Sequence, residues 1–260
     1  MKEPTLPFSK HREAVPTADP VPPLKSGDTF KVVIPVFPGV THLDFAGPME
    51  VLTRVRGVSV ELAWKDTAPV ACAALTPPAF RVLPTIAFAD VGVVDLLCVP
   101  GGPGHVDMLG DPQLLAFLRR TAATARYVTA VCTGSLLLGA AGLLRGYRAT
   151  THWASMSHLA AFGALPTESR VVVDRNRITG GGVSAGIDFA LQVVRELWGE
   201  RPAQRVQLSI EYDPQPPTNA GTPRTAPPDV VDELRALMLG YSERQRAAVD
   251  AARLRLDAGG

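Results

Sequence analysis

Cys132 is the residue whose type and position in this chain most favour chemistry. It follows the apolar run Tyr127–Val131, which is typical of a buried strand, and precedes residues 136–144, whose apolar composition is typical of a helix. A cysteine on such a turn faces the unpaired amides and the positive dipole end of the helix, which stabilise a thiolate. The position predicts a nucleophile, although many free cysteines are only small buried hydrophobic residues.

The other two cysteines have no comparable setting. Cys98 lies inside the apolar run DLLCVP and Cys72 inside VACAAL, so both are predicted to belong to the core. Three widely spaced cysteines also argue against a disulfide framework and favour a reducing, cytoplasmic setting.

Two further groups are predicted to meet Cys132. Asp44 follows the first buried strand, KVVIPVF, and Gly101 and Gly102 follow another, residues 93–100. In a parallel sheet the carboxyl ends of the strands share one edge, where ligands bind. Asp44 is therefore a candidate acid/base partner, with a helix N-cap as its alternative role and the nearby Glu50 as a competing carboxylate. The two glycines could bring backbone amides close to a substrate.

Three consecutive glycines, at 180–182, precede another predicted helix. Their spacing matches neither phosphate-binding glycine motif, so close packing near the pocket is the better interpretation, and Gly181 and Gly182 are predicted to line the substrate site. His42, His105 and His152 are not placed by spacing as a base for Cys132. No cluster of His, Cys or Asp has metal-ligand spacing, so no metal is expected.

Composition narrows the class of protein. The chain has 260 residues, 46% hydrophobic and 20% charged, with a net charge of +1, so no nucleic-acid or membrane partner is predicted. It has no apolar run long enough to span a membrane, and its first residues do not resemble a secretory signal.

Alternating strands and helices predict an α/β fold with a mostly parallel sheet covered by helices on both faces. Residues 1–29, with six prolines, are predicted to be an N-terminal extension, and residues 30–260 a single domain. That domain includes a proline-rich loop at 213–228 and a final amphipathic helix at 229–256.

Several segments resemble the ThiJ/PfpI superfamily. They are AVCTGSLLLGAAGLLRGYRATTHW, LDFAGPMEVL and CVPGGPG. The resemblance extends through RVVVDRNRITGGGVSAGIDFAL and RVQLSIEYDPQPPTNAGTP over roughly residues 30–255, and is greatest to the isonitrile-hydrating members. It implies a flavodoxin-like three-layer sandwich of the class I glutamine amidotransferase type.

The resemblance also implies an activity: cofactor-free hydration of an isonitrile to an N-substituted formamide. Cys132 would form a thioimidate, Asp44 would act as acid/base, and Thr133 would match a threonine needed for activity. Peptidase members carry histidine directly after the cysteine, so Thr133 argues against peptidase activity. Members of this group are commonly homodimers, and the final helix and proline-rich loop could form the interface.

Two other functions share the same cysteine turn. One is a ligand-sensing domain of the kind found in transcription regulators, although too little chain follows for two helix-turn-helix units. The other is a cysteine-dependent glyoxalase or stress-protective protein.

Overall fold

The computed structural model describes residues 29–258, except residues 75, 77 and 78. The predicted N-terminal extension therefore lies, apart from residue 29, outside the described residues. No helix in the described part of the chain is both long and apolar enough to cross a membrane.

The described chain alternates strands with helices. The strands are β1 Phe30–Pro35, β2 Val58–Trp64, β3 Val70–Ala71, β4 Arg81–Val82, β5 Ile86–Ala87, β6 Leu96–Val99, β7 Tyr127–Val131, β8 Arg148–Ala149, β9 Leu165–Pro166, β10 Val171–Asp174 and β11 Arg177–Gly180. The helices are α1 His42–Leu52, α2 His105–Met108, α3 Pro112–Ala122, α4 Gly134–Ala140, α5 Ala185–Trp198, α6 Glu200–Ser209, α7 Pro228–Leu237 and α8 Leu239–Asp257, with 3₁₀ helices at Phe88–Asp90 and Trp153–Phe162.

Seven strands form the central sheet, in the order β10-β11-β7-β6-β1-β2-β5. All neighbours are parallel except the hairpin β10–β11. Helices α1, α5 and α6 pack together on one face, and α2, α3, α4 and α8 on the other. This arrangement confirms the predicted flavodoxin-like sandwich.

The core lies between these layers and follows from the burial of the strands. Every residue of β6 and β7 is buried, as expected for central strands of a sheet covered on both faces. Phe30 and Ile34 of β1 and Phe189 of α5 are among the largest fully buried side chains. Such a core holds the strand ends in fixed positions relative to one another.

Some predicted helix bounds are wrong. The helix after Cys132 begins at Gly134 and ends at Ala140, short of the predicted residue 144, and Gly142 follows its C-terminus in the left-handed conformation, at φ +78°. The predicted final helix is two helices, because Met238 leaves helical geometry at φ −91° and ψ 0° just before Gly240.

The order of the strands in the sheet determines where the predicted site lies. Strand β6 lies between β1 and β7, so the segments that follow these three strands meet at one edge. Those segments carry Asp44, Gly101 with Gly102, and Cys132 respectively. The convergence expected from the parallel topology is present in the structure.

Candidate active site

Cys132 occupies a strained turn between β7 and α4. Its φ is +57°, in the left-handed region that a residue with a Cβ rarely adopts. Its N–H is shared between the carbonyls of Gly180 and Gly181, both at 3.0 Å, and its carbonyl accepts a 2.7 Å hydrogen bond from Thr151 Oγ1. These bonds hold a conformation that costs about 1–3 kcal/mol in isolation. Several hydrogen bonds therefore hold the turn in an unfavourable conformation, as is typical of turns that carry a nucleophile.

Glycines allow the neighbouring segments to approach this turn. A Cβ on Gly101 would lie 2.4 Å from Thr133 N, and a Cβ on Gly134 would lie 2.1 Å from Val99 O. Both distances are far below van der Waals contact. The loop after β6 and the first turn of α4 can pack beside Cys132 only because these residues lack side chains.

Asp44 is fully buried in the first turn of α1. The N-cap of α1 is Thr41, so the alternative role of Asp44 as an N-cap is wrong. Its Oδ2 accepts a 3.0 Å hydrogen bond from Gly101 N–H. Its Oδ1 is buried and has no hydrogen-bond partner among the described residues. A buried, unpartnered carboxyl oxygen is costly and is a common mark of a reacting group.

Thr133 ties the turn to the glycine loop. Its Oγ1 accepts a 3.0 Å hydrogen bond from Gly102 N–H and lies 3.3 Å from Gly102 O, to which it can donate. Gly102 itself is at φ +133°, a conformation that favours glycine. The threonine hydroxyl is thus fixed next to the cysteine, on the side of the loop that also binds Asp44.

Cys132 and Asp44 share an enclosed environment that disfavours charge. Burial raises the pKa of Asp44 to about 7, against the lowering effect of the Cys132 thiol and the Gly101 amide. Burial and the neighbouring Asp44 carboxylate raise the pKa of Cys132 above that of a free thiol. The pair therefore avoids being ionised at both sites, and above about pH 7 it holds a single proton.

The thiolate expected at the helix N-terminus is disfavoured in the structure. The backbone amides of Thr133 and Val183 do lower the pKa of Cys132, but burial, with Cys132 only 5% exposed, outweighs them. The thiol must therefore lose its proton to a neighbour during reaction. Asp44 is the carboxylate that the structure places beside it.

Gly181 and Gly182 lie behind Cys132. Gly181 O accepts from Cys132 N–H, and a Cβ on Gly182 would lie 2.4 Å from His152 Cδ2. Close packing explains Gly182, and a role of either glycine in substrate binding stays a prediction. The Val183 amide, which faces the Cys132 thiol, was not identified from the sequence, since any residue type can supply an amide.

The histidines near the site are bonded away from Cys132. His105 is fully buried, burial lowers its pKa to about 4, and its Nδ1 lies 2.8 Å from Gly102 O. Burial also lowers the pKa of His152, whose Nδ1 accepts from Ala154 N–H. Neither ring hydrogen-bonds to Cys132 among the described contacts. A cysteine–carboxyl pair therefore remains the central arrangement.

The remaining cysteines pack as predicted. Cys72 and Cys98 are buried, and burial raises the pKa of Cys98 to about 12. Within residues 29–258, apart from the three left out, no group of three or more His, Cys, Asp or Glu side chains could hold a metal ion.

The chain is similar to known proteins over most of its length. Residues 30–196 match the model of the DJ-1/PfpI family. An isonitrile hydratase of Pseudomonas putida is 52% identical over 200 residues, which cover 77% of this chain and 86% of that protein. A crystal structure of a ThiJ/PfpI family protein from Pseudomonas syringae is 39% identical, with a TM-score of 0.81, covering 95% of this chain and 97% of that one.

A regulator is also similar over a shorter stretch. The HTH-type transcriptional regulator GbdR of Pseudomonas aeruginosa is 33% identical over 135 residues, which are 51% of this chain and 36% of the regulator.

Proposed function

The chain belongs to the DJ-1/PfpI family, and we propose that within this family it is an enzyme that hydrates isonitriles to N-substituted formamides. One observation carries the proposal: the strained Cys132 lies beside the unpartnered oxygen of Asp44 in a chain 52% identical to an isonitrile hydratase. The pair supplies a nucleophile and a proton carrier, and the reaction needs both.

The first step forms a thioimidate. The terminal carbon of R–N≡C carries a lone pair and is also electrophilic, so it takes up both a proton and a sulfur. Asp44 receives the Cys132 proton and delivers it to this carbon as Cys132 Sγ bonds to the same carbon. The product is R–N=CH–S–Cys132, and the single proton of the pair has moved to the substrate.

The second step consumes water. Asp44, now ionised, accepts a proton from water as the hydroxyl adds to the thioimidate carbon, and passes this proton to the substrate nitrogen, which becomes N–H. Collapse of this intermediate expels the sulfur and releases R–NH–CHO, and the hydroxyl proton returns to the Cys132–Asp44 pair, which again holds one proton. The sum is R–N≡C plus water giving the formamide, with no electron carrier required.

The surrounding residues have distinct roles in this proposal. Thr133 and the amides of Gly101 and Gly102 orient Asp44 and hold the reacting atoms in place. We propose that Gly181 and Gly182, next to the cysteine turn, line the substrate site. No metal or cofactor takes part. We also propose a homodimer that works in the cytoplasm, where its three free cysteines would stay reduced.

Turnover of cyclohexyl isonitrile, with the formamide measured directly, tests the function. We expect Cys132→Ala to abolish turnover and Asp44→Asn to lower kcat by about 100-fold or more, as loss of a general acid–base group does. Cys98→Ala is the matched control, because it removes a buried thiol that has no part in the proposed reaction: it should lower stability but retain turnover per folded molecule. Equal turnover by the wild type and Cys132→Ala would exclude the mechanism.

A reactivity measurement separates the roles of the two residues. Removal of the Asp44 charge removes one cause of the raised pKa of Cys132. Asp44→Asn should therefore leave alkylation of Cys132 by iodoacetamide at pH 8 as fast as in the wild type or faster, while hydration is lost. Slower alkylation together with slower hydration would instead indicate a general distortion of the site.

A ligand-sensing function is the second candidate, because the chain is 33% identical to GbdR over 135 residues. It predicts saturable binding of a small molecule without turnover, even by reduced, folded protein with intact Cys132. Turnover of methylglyoxal without turnover of isonitriles would instead indicate a glyoxalase.

A further inference from the structure

A chain of buried polar side chains connects the C-terminal helix to the catalytic loop. His105 is fully buried, Gln245 of α8 is 1% exposed and Ser155 is 2% exposed. Gln245 Nε2 lies 3.0 Å from His105 Nε2 and 2.8 Å from Ser155 Oγ. Polar groups at such depth are unfavourable unless hydrogen-bonded, and here each has a partner.

The contacts determine which His105 nitrogen carries the proton. The Gln245 amide nitrogen can only donate, so His105 Nε2 accepts and Nδ1 bears the hydrogen. Nδ1–H then donates to Gly102 O at 2.8 Å. The Tyr241 hydroxyl, also on α8, lies 3.3 Å from the same Nδ1. Gln245 thus sets the tautomer of His105, and Gln245 and Tyr241, both on α8, contact its ring.

Gly102 is where this chain of contacts reaches the reacting groups. Its carbonyl is held by His105, while its N–H donates to Thr133 Oγ1, and the preceding N–H, from Gly101, donates to Asp44 Oδ2. At φ +133° the segment is not fixed by its intrinsic backbone preference. Without the contact from the His105 ring, the Gly102 carbonyl keeps only the His105 backbone N–H at 3.0 Å and Thr133 Oγ1 at 3.3 Å, so the loop that carries the Gly101 and Gly102 amides is held less firmly.

Helix α8 is an addition to the part of the chain that the family model matches, which ends at residue 196. Attachment of the helix alone would need only apolar contacts, which Val249 and Ala252 supply on its buried side. Gln245 lies one turn before Val249, and its amide is directed at the catalytic loop instead.

We propose that α8 is part of the active site, with Gln245 and Tyr241 as positioning residues that orient His105, and His105 as the positioning residue that fixes the Gly102 carbonyl. The proposal rests on the proposed function, because the reaction whose groups are held in place is the hydration of isonitriles. The geometry of the Cys132–Asp44 pair can be measured independently of that reaction.

Gln245→Met tests the proposal, because it keeps the length and burial of the side chain and removes the donor. Val249→Ala on the same helix is the matched control, because it weakens the attachment of α8 without touching the polar contacts. We expect Gln245→Met to lower kcat about tenfold with little change in KM, as loss of orientation does. Val249→Ala should lower the melting temperature and leave kcat within about twofold.

The pH dependence of Cys132 alkylation by iodoacetamide gives a second readout, which needs no hydratase activity. The hydrogen bond from the Gly101 amide lowers the pKa of Asp44. A weaker hydrogen bond should therefore raise the apparent pKa of the Cys132–Asp44 pair above about 7 in Gln245→Met, but not in Val249→Ala. The other titratable groups facing the pair, Cys98 of β6 and Tyr241 of α8, have raised pKa values and stay protonated there. His105, which Asp107 and His158 face, stays neutral.

Substitutions of His105 provide a rescue test. His105→Asn retains an N–H close to the position of Nδ1, whereas His105→Leu does not, so Asn should recover a substantial part of kcat and the pKa of the pair. Equal loss in both variants, or equal loss in Gln245→Met and Val249→Ala, would overturn the proposal. An inactive wild type whose alkylation profile still shifts in Gln245→Met would reject the hydratase function and retain the positioning role.

Discussion

Asp44 combines complete burial with a carboxyl oxygen that no described residue satisfies. A side chain in this position reduces the stability of the fold whenever it is charged, because the charge has lost its water and gained only the Gly101 amide and the thiol as partners. The presence of an aspartate at position 44 is therefore explained by the chemistry it can perform and not by a contribution to the stability of the fold. The same holds for Cys132, whose left-handed backbone favours glycine.

The first prediction concerns stability against pH. The pKa of Asp44 is about 7 in the folded protein and 3.8 in an unfolded chain, so the folded state binds its proton more tightly. Its contribution is most favourable below about pH 4 and is lost as the pH rises through 7, by at most about 4 kcal/mol at ~1.4 kcal/mol per pKa unit.

Urea unfolding at pH 5 and pH 8 measures this effect. Wild-type stability should fall between the two values, and Asp44→Asn should show a smaller fall and exceed the wild type at pH 8. Parallel changes in the two proteins would show that Asp44 does not titrate between these values.

The second prediction uses the backbone strain at Cys132. Alanine retains the Cβ that makes φ +57° unfavourable, and glycine removes it. Cys132→Gly should therefore unfold with a free energy about 1 kcal/mol higher than Cys132→Ala, while both lack turnover. A less stable glycine variant would mean that the Cβ packing at this buried position is worth more than the strain.

At the scale of elements, α4 packs against the end of β6 without space for a side chain. The Cβ of an alanine at Gly134 would lie 2.1 Å from Val99 O, so the helix or the strand end must move. Either movement would shift Thr133 and Cys132, which directly precede Gly134. The conformation of the turn that carries Cys132 thus depends on the position of α4 relative to β6.

Gly134→Ala should therefore cost about 3 kcal/mol or more and slow Cys132 alkylation, as severe overpacking does. Gly92→Ala is the control, since its Cβ would meet nothing within 4 Å and its φ is not positive. That variant should change the free energy of unfolding by less than about 1 kcal/mol. Comparable losses in both variants would contradict the packing argument.

The sequence predicted the elements whose signals are local or topological. Alternating strands and helices implied the parallel sheet, and that sheet implied that Asp44, Gly101 and Cys132 would meet. It could not predict the His105–Gln245 contact, because 140 residues separate the two and neither lies in a motif. The break at Met238 and the raised pKa of Cys132 also depend on tertiary packing, which no local pattern contains.

At the scale of the whole molecule, the two C-terminal helices carry unusual exposed apolar surface. Val230, Leu234 and Leu237 follow one face of α7 and are 45%, 41% and 77% exposed, and Leu239 at the start of α8 is 59% exposed. Large apolar side chains grouped in this way are typical of an interface. This surface lies in the part of the chain that the sequence led us to consider for a homodimer.

Sedimentation equilibrium or light scattering tests this fourth prediction. The wild type should have a mass of about 55 kDa, twice that of the 27.6 kDa chain. Leu234→Glu combined with Leu237→Glu should give a folded monomer, because two charges cannot be buried without partners at an apolar interface. Leu208→Glu on α6, where the leucine is 82% exposed, adds a charge outside this face and should remain dimeric. A monomeric wild type would contradict the homodimer, and a dimeric double variant would place the interface elsewhere on the molecule.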